Sequence, residues 1–259
     1  MGICKLCCKE REIKKSHIIP NAFFKFIKQK QGDKSGKLIL SDTKNTRWDQ
    51  ETFYERLLCG ECENKFSGNF ENYAASLMLR DGSNTDSEVQ YLNSRELLIK
   101  NLDFEKFKLF QMSLLWRASV SANDFYKHVK LPTSEEERLR VRLDQLQSIS
   151  PTDYPCILER VLTDLIPDHT DSDASKKIIT NPMFTKTVLG DYYTFVLGGW
   201  SMRMYSKVSS QLPKERIIND SGLVKCMRIS VEQHEILKLA GVRLRGHRDN
   251  EQCQLSKEA

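Results

Sequence analysis

The sequence predicts an α+β chain in which a cysteine-bearing N-terminal module is followed by helices and then by an antiparallel sheet. Three observations carry that expectation. Two CxxC pairs, Cys4/Cys7 and Cys59/Cys62, lie far apart within the first eighty residues. Apolar residues recur at helical spacing from Phe104 to about Ser121, where Phe107, Phe110, Gln111, Leu114, Leu115 and Ala118 define one face with Trp116 beside it. Aromatic and β-branched residues of segment 184–208 then flank two turn signals, Gly190-Asp191 and Gly198-Gly199, as an antiparallel meander does.

The N-terminal elements follow from local chemistry. Ser16-His17-Ile18-Ile19-Pro20 reads as a strand that Pro20 ends, because proline cannot donate to a ladder. Asn21 to Gln31 mixes apolar positions 23, 24, 26 and 27 with lysines and reads as a short helix, and 37–42 as a short strand. After Cys59 a helix is expected: Phe66, Phe70, Tyr73, Ala74, Leu77 and Met78 share one face. The polar tract from Arg80 to Ser87 has turn residues and no periodicity. It divides the chain into a cysteine module over 1–80, a linker over 81–95 and an α+β part over 96–259. In that last part, Pro132-Thr133-Ser134 before EEERLRVRLDQLQ is a helix start with its acidic residues at the positive end. Segment 223–230 is a further strand, and a last helix runs from Ser230 to about Ala240.

Composition narrows the class. A chain of 259 residues with 39% hydrophobic and 29% charged residues is globular, with no room for wholesale disorder. No apolar run approaches the ~18–20 residues that cross a bilayer, so no membrane partner is expected. The N-terminus lacks an apolar stretch with a cleavage site, which points to the cytoplasm. Thiols stay reduced there, so the eight cysteines are not a disulfide framework. The paired ones read as ligands of one structural zinc ion, since Zn²⁺ favours four soft or borderline donors in a tetrahedron. Cys8, Cys156, Cys226 and Cys253 stand alone and read as small apolar or inert residues. The first cysteine pair on a tight knuckle and the second at a helix start make a treble-clef arrangement.

Residues 1–80 hold 15 Lys plus Arg against 10 Asp plus Glu, while the remainder is balanced, so the whole net charge of +5 lies with the cysteines. That distribution suits DNA or RNA as a partner. Lys14, Lys15, Lys25, Lys28 and Lys30 are the candidate phosphate contacts, with the solvated face of an amphipathic helix as the alternative for the last three.

CKLC, SHIIP and LLCGEC opening a helix together resemble the HNH endonuclease family over roughly residues 3–80. The resemblance implies a zinc scaffold around a ββα-metal element. It implies that His17 is the general base that activates water against a phosphodiester, and that Mg²⁺ or Mn²⁺ stabilises the leaving oxygen. A neutral imidazole suits proton abstraction near pH 7, and a hard cation suits the charge that develops. Cys4, Cys7, Cys59 and Cys62 match the zinc ligands. Three positions depart from the family pattern: Tyr54 stands where an asparagine is usual, Glu63 where a histidine ligand follows the fourth cysteine, and Ser16 where an aspartate often precedes the histidine. Glu63 can replace the histidine, because a carboxylate is a good ligand for a hard cation. The alternative is a catalytically inactive zinc-scaffolded protein that binds nucleic acid or a protein partner, the latter through 96–259.

Overall fold

A bulged strand forms the first element after the cysteine knuckle. Ile13 and Ser16 turn inward while Lys14 and Lys15 stay exposed, so the basic stretch after the first cysteine pair is itself extended. The computed structural model describes residues 1–29, 38–41, 46–49, 54–162, 174–206, 212–230, 233–234 and 236–237. Strands β1 (Gly2–Ile3) and β2 (Glu10–Arg11) pair antiparallel, and β3 (Ile13–His17) follows with a bulge between Ile13 and Lys15. The strand expected at 16–20 therefore starts earlier and stops at His17. Ile18, Ile19 and Pro20 are buried and lead straight into helix α1 (Asn21–Gln29).

Strands β4 (Leu38–Ser41) and β5 (Thr46–Asp49) form a separate antiparallel pair. Strand β6 (Tyr54–Cys59) returns to β3, setting His17 opposite Tyr54 and Ile13 opposite Cys59. Helix α2 (Gly60–Phe66), a π-helical stretch Ser67–Glu71 and α3 (Asn72–Arg80) then run end to end. The apolar face expected there is real: Phe66, Phe70, Ala74, Leu77 and Met78 are all buried. The polar tract that follows is a left-handed turn through Asp81, Gly82 and Asn84, where an Asx side chain or glycine tolerates positive φ.

The rest of the chain supplies β7 (Glu88–Tyr91), β8 (Glu96–Lys100), α4 (Phe104–Val120), α5 (Thr133–Asp144), β9 (Cys156–Leu162), β10 (Met183–Thr187), β11 (Gly190–Leu197), β12 (Trp200–Tyr205) and β13 (Val224–Ser230). Seven of these strands make one sheet in the order β10-β11-β12-β9-β13-β8-β7, antiparallel except where β13 runs parallel to β9. The expected meander is β10–β12, although its first turn falls at Val188-Leu189 and not at Gly190-Asp191. Gly198 and Gly199 both have positive φ, as a two-residue hairpin turn of this hand demands. Two strands, β7 and β8, precede the helices and lie at the far edge; β7 falls within 81–95. Their signal in the sequence is short: in β8 only Leu97 and Ile99 alternate inward, just ahead of a stronger helical pattern.

Helix α4 differs from its single expected stripe, being buried on almost every side from Phe107 to Ser119. Two charged residues inside it, Lys108 and Arg117, are each only 1% exposed. Buried charge requires partners. Lys108 Nζ donates to the carbonyl of Tyr154 at 3.0 Å and to that of Asp153, while burial pulls its pKa down to about 8. Around α4 lies a hydrophobic core shared by the first eighty residues and the rest: Phe23 of α1 stacks on Phe110, and Trp200 of β12 donates to the Met78 carbonyl at 3.1 Å. Among the described residues, no helix is long and apolar enough to cross a membrane. The expected last helix and Lys30 lie wholly or mostly outside the described residues.

One buried group makes the fold sensitive to acid. His234 is 4% exposed, and its Nε2 lies 2.9 Å from Ser201 Oγ. Burial first, and then the charge of Arg203, push its pKa down from 6.5 to about 4. The unfolded chain thus binds this proton more readily than the folded one. The stability from a neutral His234 is complete above about pH 6.5 and is lost as the pH falls toward about 4. His234→Gln is expected to flatten the fall of the urea midpoint over that window, relative to the unchanged protein measured in parallel.

Candidate metal centre

The first cysteine pair sits on the turn between β1 and β2. The Cys4 N–H donates to the Lys9 carbonyl at 3.0 Å, and the Cys8 N–H to the Cys4 carbonyl at 2.9 Å. Closing that turn puts Cys8 at φ 58°, a left-handed conformation that costs a non-glycine residue about 1–2 kcal/mol. The knuckle is bonded to the end of β6: the Lys5 N–H donates to the Leu57 carbonyl at 2.9 Å, and the Cys59 N–H to Cys4 Sγ at 3.3 Å. Cys59 ends β6 and Cys62 lies in the first turn of α2. Local structure therefore presents each pair, and pairing of the two segments brings the pairs together.

The four sulfurs lie within 4.8 Å of one another, and Cys4, Cys59 and Cys62 are buried. A tetrahedron with metal–sulfur bonds of about 2.3 Å has edges of about 3.8 Å, so side-chain adjustments of roughly 1 Å at most complete it. The set can hold a metal ion. Four protein donors leave no position for substrate, which fits a structural ion. Burial first, then neighbouring thiols, push the Cys62 thiol up. Burial also raises Cys4, but backbone N–H groups of Cys7, Cys59 and Leu6 outweigh it and favour its thiolate. Thiols packed this closely resist ionising together, and a divalent cation at their centre removes that repulsion.

His17 occupies the other end of β3. Its half-buried ring lies between Phe24, 5.9 Å away between centroids, and Tyr54, 6.2 Å away edge-on. Glu63 lies in the first turn of α2, and its Oε1 is buried with no hydrogen-bond partner among the described residues. An unpartnered carboxylate oxygen is costly to bury without a compensating donor or cation. Among the described residues, the four cysteines are the one set of three or more His, Cys, Asp or Glu side chains whose ligand atoms gather; His17 and Glu63 join no such set.

The lysines separate. Lys14 is exposed but ion-paired with Glu12 at 2.6 Å. Lys15 Nζ lies 4.6 Å over the Tyr54 ring and donates to its hydroxyl at 3.3 Å. Lys25 is exposed on α1, which also carries Lys28. Ser16, at the position of the family's aspartate, is fully buried and accepts the Leu58 N–H at 3.0 Å, so its hydroxyl serves the strand pair.

Sequence reasoning passed over the residues that tie this region to α4. Arg117 Nη1 donates to the His17 carbonyl at 2.8 Å, and Nη2 pairs with Glu71 at 2.7 Å. Burial raises the Glu71 carboxyl, Arg117 pulls it back, and the charge of nearby Glu63 raises it again. Strand β3 and the helix bearing Glu63 and Glu71 thus meet on one guanidinium. A charge inside the apolar run LLWRASV was the available signal; its partners were not in the local sequence. Set against protein-family models, curated proteins and solved structures, the chain matches none.

Elemental analysis of purified variants separates ligand from bystander. Cys59→Ala is expected to lose bound metal. Cys8→Gly is expected to retain it and to gain about 0.5–1 kcal/mol in urea unfolding, because glycine relieves the left-handed backbone.

Proposed function

We propose that the protein is a metal-dependent endonuclease of HNH type that hydrolyses phosphodiester bonds in DNA or RNA. What supports this reading is one arrangement: an antiparallel strand pair runs directly into a helix, with gathered cysteine sulfurs at one end of the pair and His17 at the other. That is the order of parts in a ββα-metal element within a treble clef. Zinc is the ion that best suits four thiolates in a closed tetrahedral set, and it would hold the knuckle to α2. A reducing cytoplasm would keep those thiols available.

The roles follow from the side chains. His17, as a neutral imidazole, takes the proton of the attacking water. The Glu63 carboxylate would hold Mg²⁺ or Mn²⁺, which would supply charge neutralisation at the phosphate and the departing oxygen. Lys15, beside Tyr54 and so close to the His17 ring, and Lys25 on α1 would pair with phosphates, with Lys14, Lys28 and Lys30 extending the basic surface. Residues 96–259 hold the site and offer surface for a protein partner.

A second reading, a zinc-scaffolded protein that binds nucleic acid without cutting it, draws on Ser16. A family ligand position is here given over to an internal hydrogen bond. Plasmid nicking separates the two. With Mg²⁺ or Mn²⁺ the purified protein is expected to nick DNA or cut RNA, and His17→Ala to lose at least about 10²-fold in rate with its zinc content unchanged. Salt-dependent retention of nucleic acid, with no cleavage under any of several divalent metals, would establish the binding reading instead.

A further inference from the structure

Resting on the endonuclease reading, we infer that Arg117 is a positioning residue for His17, and that α4 clamps the end of the strand pair that carries the imidazole. Arg117 is 1% exposed, and its fork is used in several directions at once. Nη1 holds the His17 carbonyl at 2.8 Å, Nη2 pairs with Glu71 at 2.7 Å, and Nε and Nη2 hold the Ser113 carbonyl and hydroxyl at 3.3 and 3.2 Å. The guanidinium also lies 5.4 Å from the centre of the Phe66 ring. A planar group satisfied on these sides has one orientation, which a lysine cannot reproduce.

A second tie acts on the neighbouring strand. Glu55 follows Tyr54 in β6, and its carboxylate accepts the Ala122 N–H at 3.0 Å and the Ser121 hydroxyl, both just beyond the end of α4. The opposite end of the same pair is held where Cys59 meets Cys4. The β3–β6 pair is thus fixed at both ends, by the cysteines at one and by α4 at the other. Arg117 reaches His17 through its backbone and not through the reacting atoms. A general base must sit within hydrogen-bond reach of its water, and a displacement of about 1 Å costs about 10²-fold in rate. This gives the C-terminal part of the chain a function in the site: it sets the place of the base.

The test uses the full-length zinc-loaded protein. Removing Arg117 alone would strand the buried Glu71 charge, so the main variant is Arg117→Met combined with Glu71→Gln, which removes both charges together. Arg117→Lys, which keeps the charge and loses the fork, is measured beside it and stands in if the double variant does not fold. The expected result is a fall of about 10²-fold in kcat for nicking, with KM for DNA and zinc content unchanged, and an intermediate fall for Arg117→Lys. The His17 ring is also expected to lose its nuclear Overhauser contacts to Phe24 and Tyr54. Wild-type kcat in the double variant would overturn the inference while leaving the endonuclease reading intact. If the unmodified protein does not cut, that reading has failed, and the ring contacts decide alone: their persistence in both variants overturns the positioning of His17 by Arg117, and their loss supports it.

Discussion

Two cysteine pairs separated by some fifty residues have to reach one point, and much of the N-terminal architecture follows from that requirement. Neither pair can close a site alone, because a CxxC turn offers only two donors. The first pair arrives on a hairpin too short to be stable by itself, and the second at the junction of β6 and α2. A metal ion bridging the two pairs would remove on the order of 4 kcal/mol of chain entropy from the unfolded state, by the reasoning used for disulfides. The hydrogen bond from the Cys59 N–H to Cys4 Sγ marks where the two segments lock. Because Cys59 is also the last residue of β6, locking it sets the register of β6 against β3, and that register carries His17.

The second constraint comes from the far part of the chain. Helix α4 buries a lysine and an arginine in its interior, and both are satisfied by groups outside the helix. Losing one partner of such a buried pair costs about 3–5 kcal/mol, whereas the intact pair adds little net stability over an apolar replacement. Its value is geometric. Lys108 fixes α4 to the loop before β9, and Arg117 fixes it to the strand and helix that follow the cysteines. Phe70 and Glu71, both buried in the π-helical stretch, face α4 from the other side of the contact.

Electrostatics of opposite kinds therefore meet within a few residues. The gathered thiols disfavour one another without a cation, and Glu63 holds a buried oxygen with no donor among the described residues. The nearby Glu71 is compensated by Arg117. The ion pair with Arg117 makes Glu71 a fixed part of the scaffold.

The sequence by itself determined the elements whose cause is local. CxxC spacing identified four residues that do gather, because two cysteines on one turn are neighbours whatever else the chain does. Periodicity identified the buried face from Phe66 to Met78, and paired glycines marked the turn between β11 and β12. Tertiary structure decided what depends on partners distant in the chain. It started β3 at Ile13, because pairing with β6 recruits the lysine stretch. It placed β7 and β8 at the edge of a sheet whose other members begin only at Cys156, through a β13 that no local pattern could assign to them. It turned Ser16 inward to Leu58 and joined Arg117 to the His17 carbonyl. A side chain's type and spacing are written in the sequence, but the identity of a buried charge's partner is fixed only when the core closes around it.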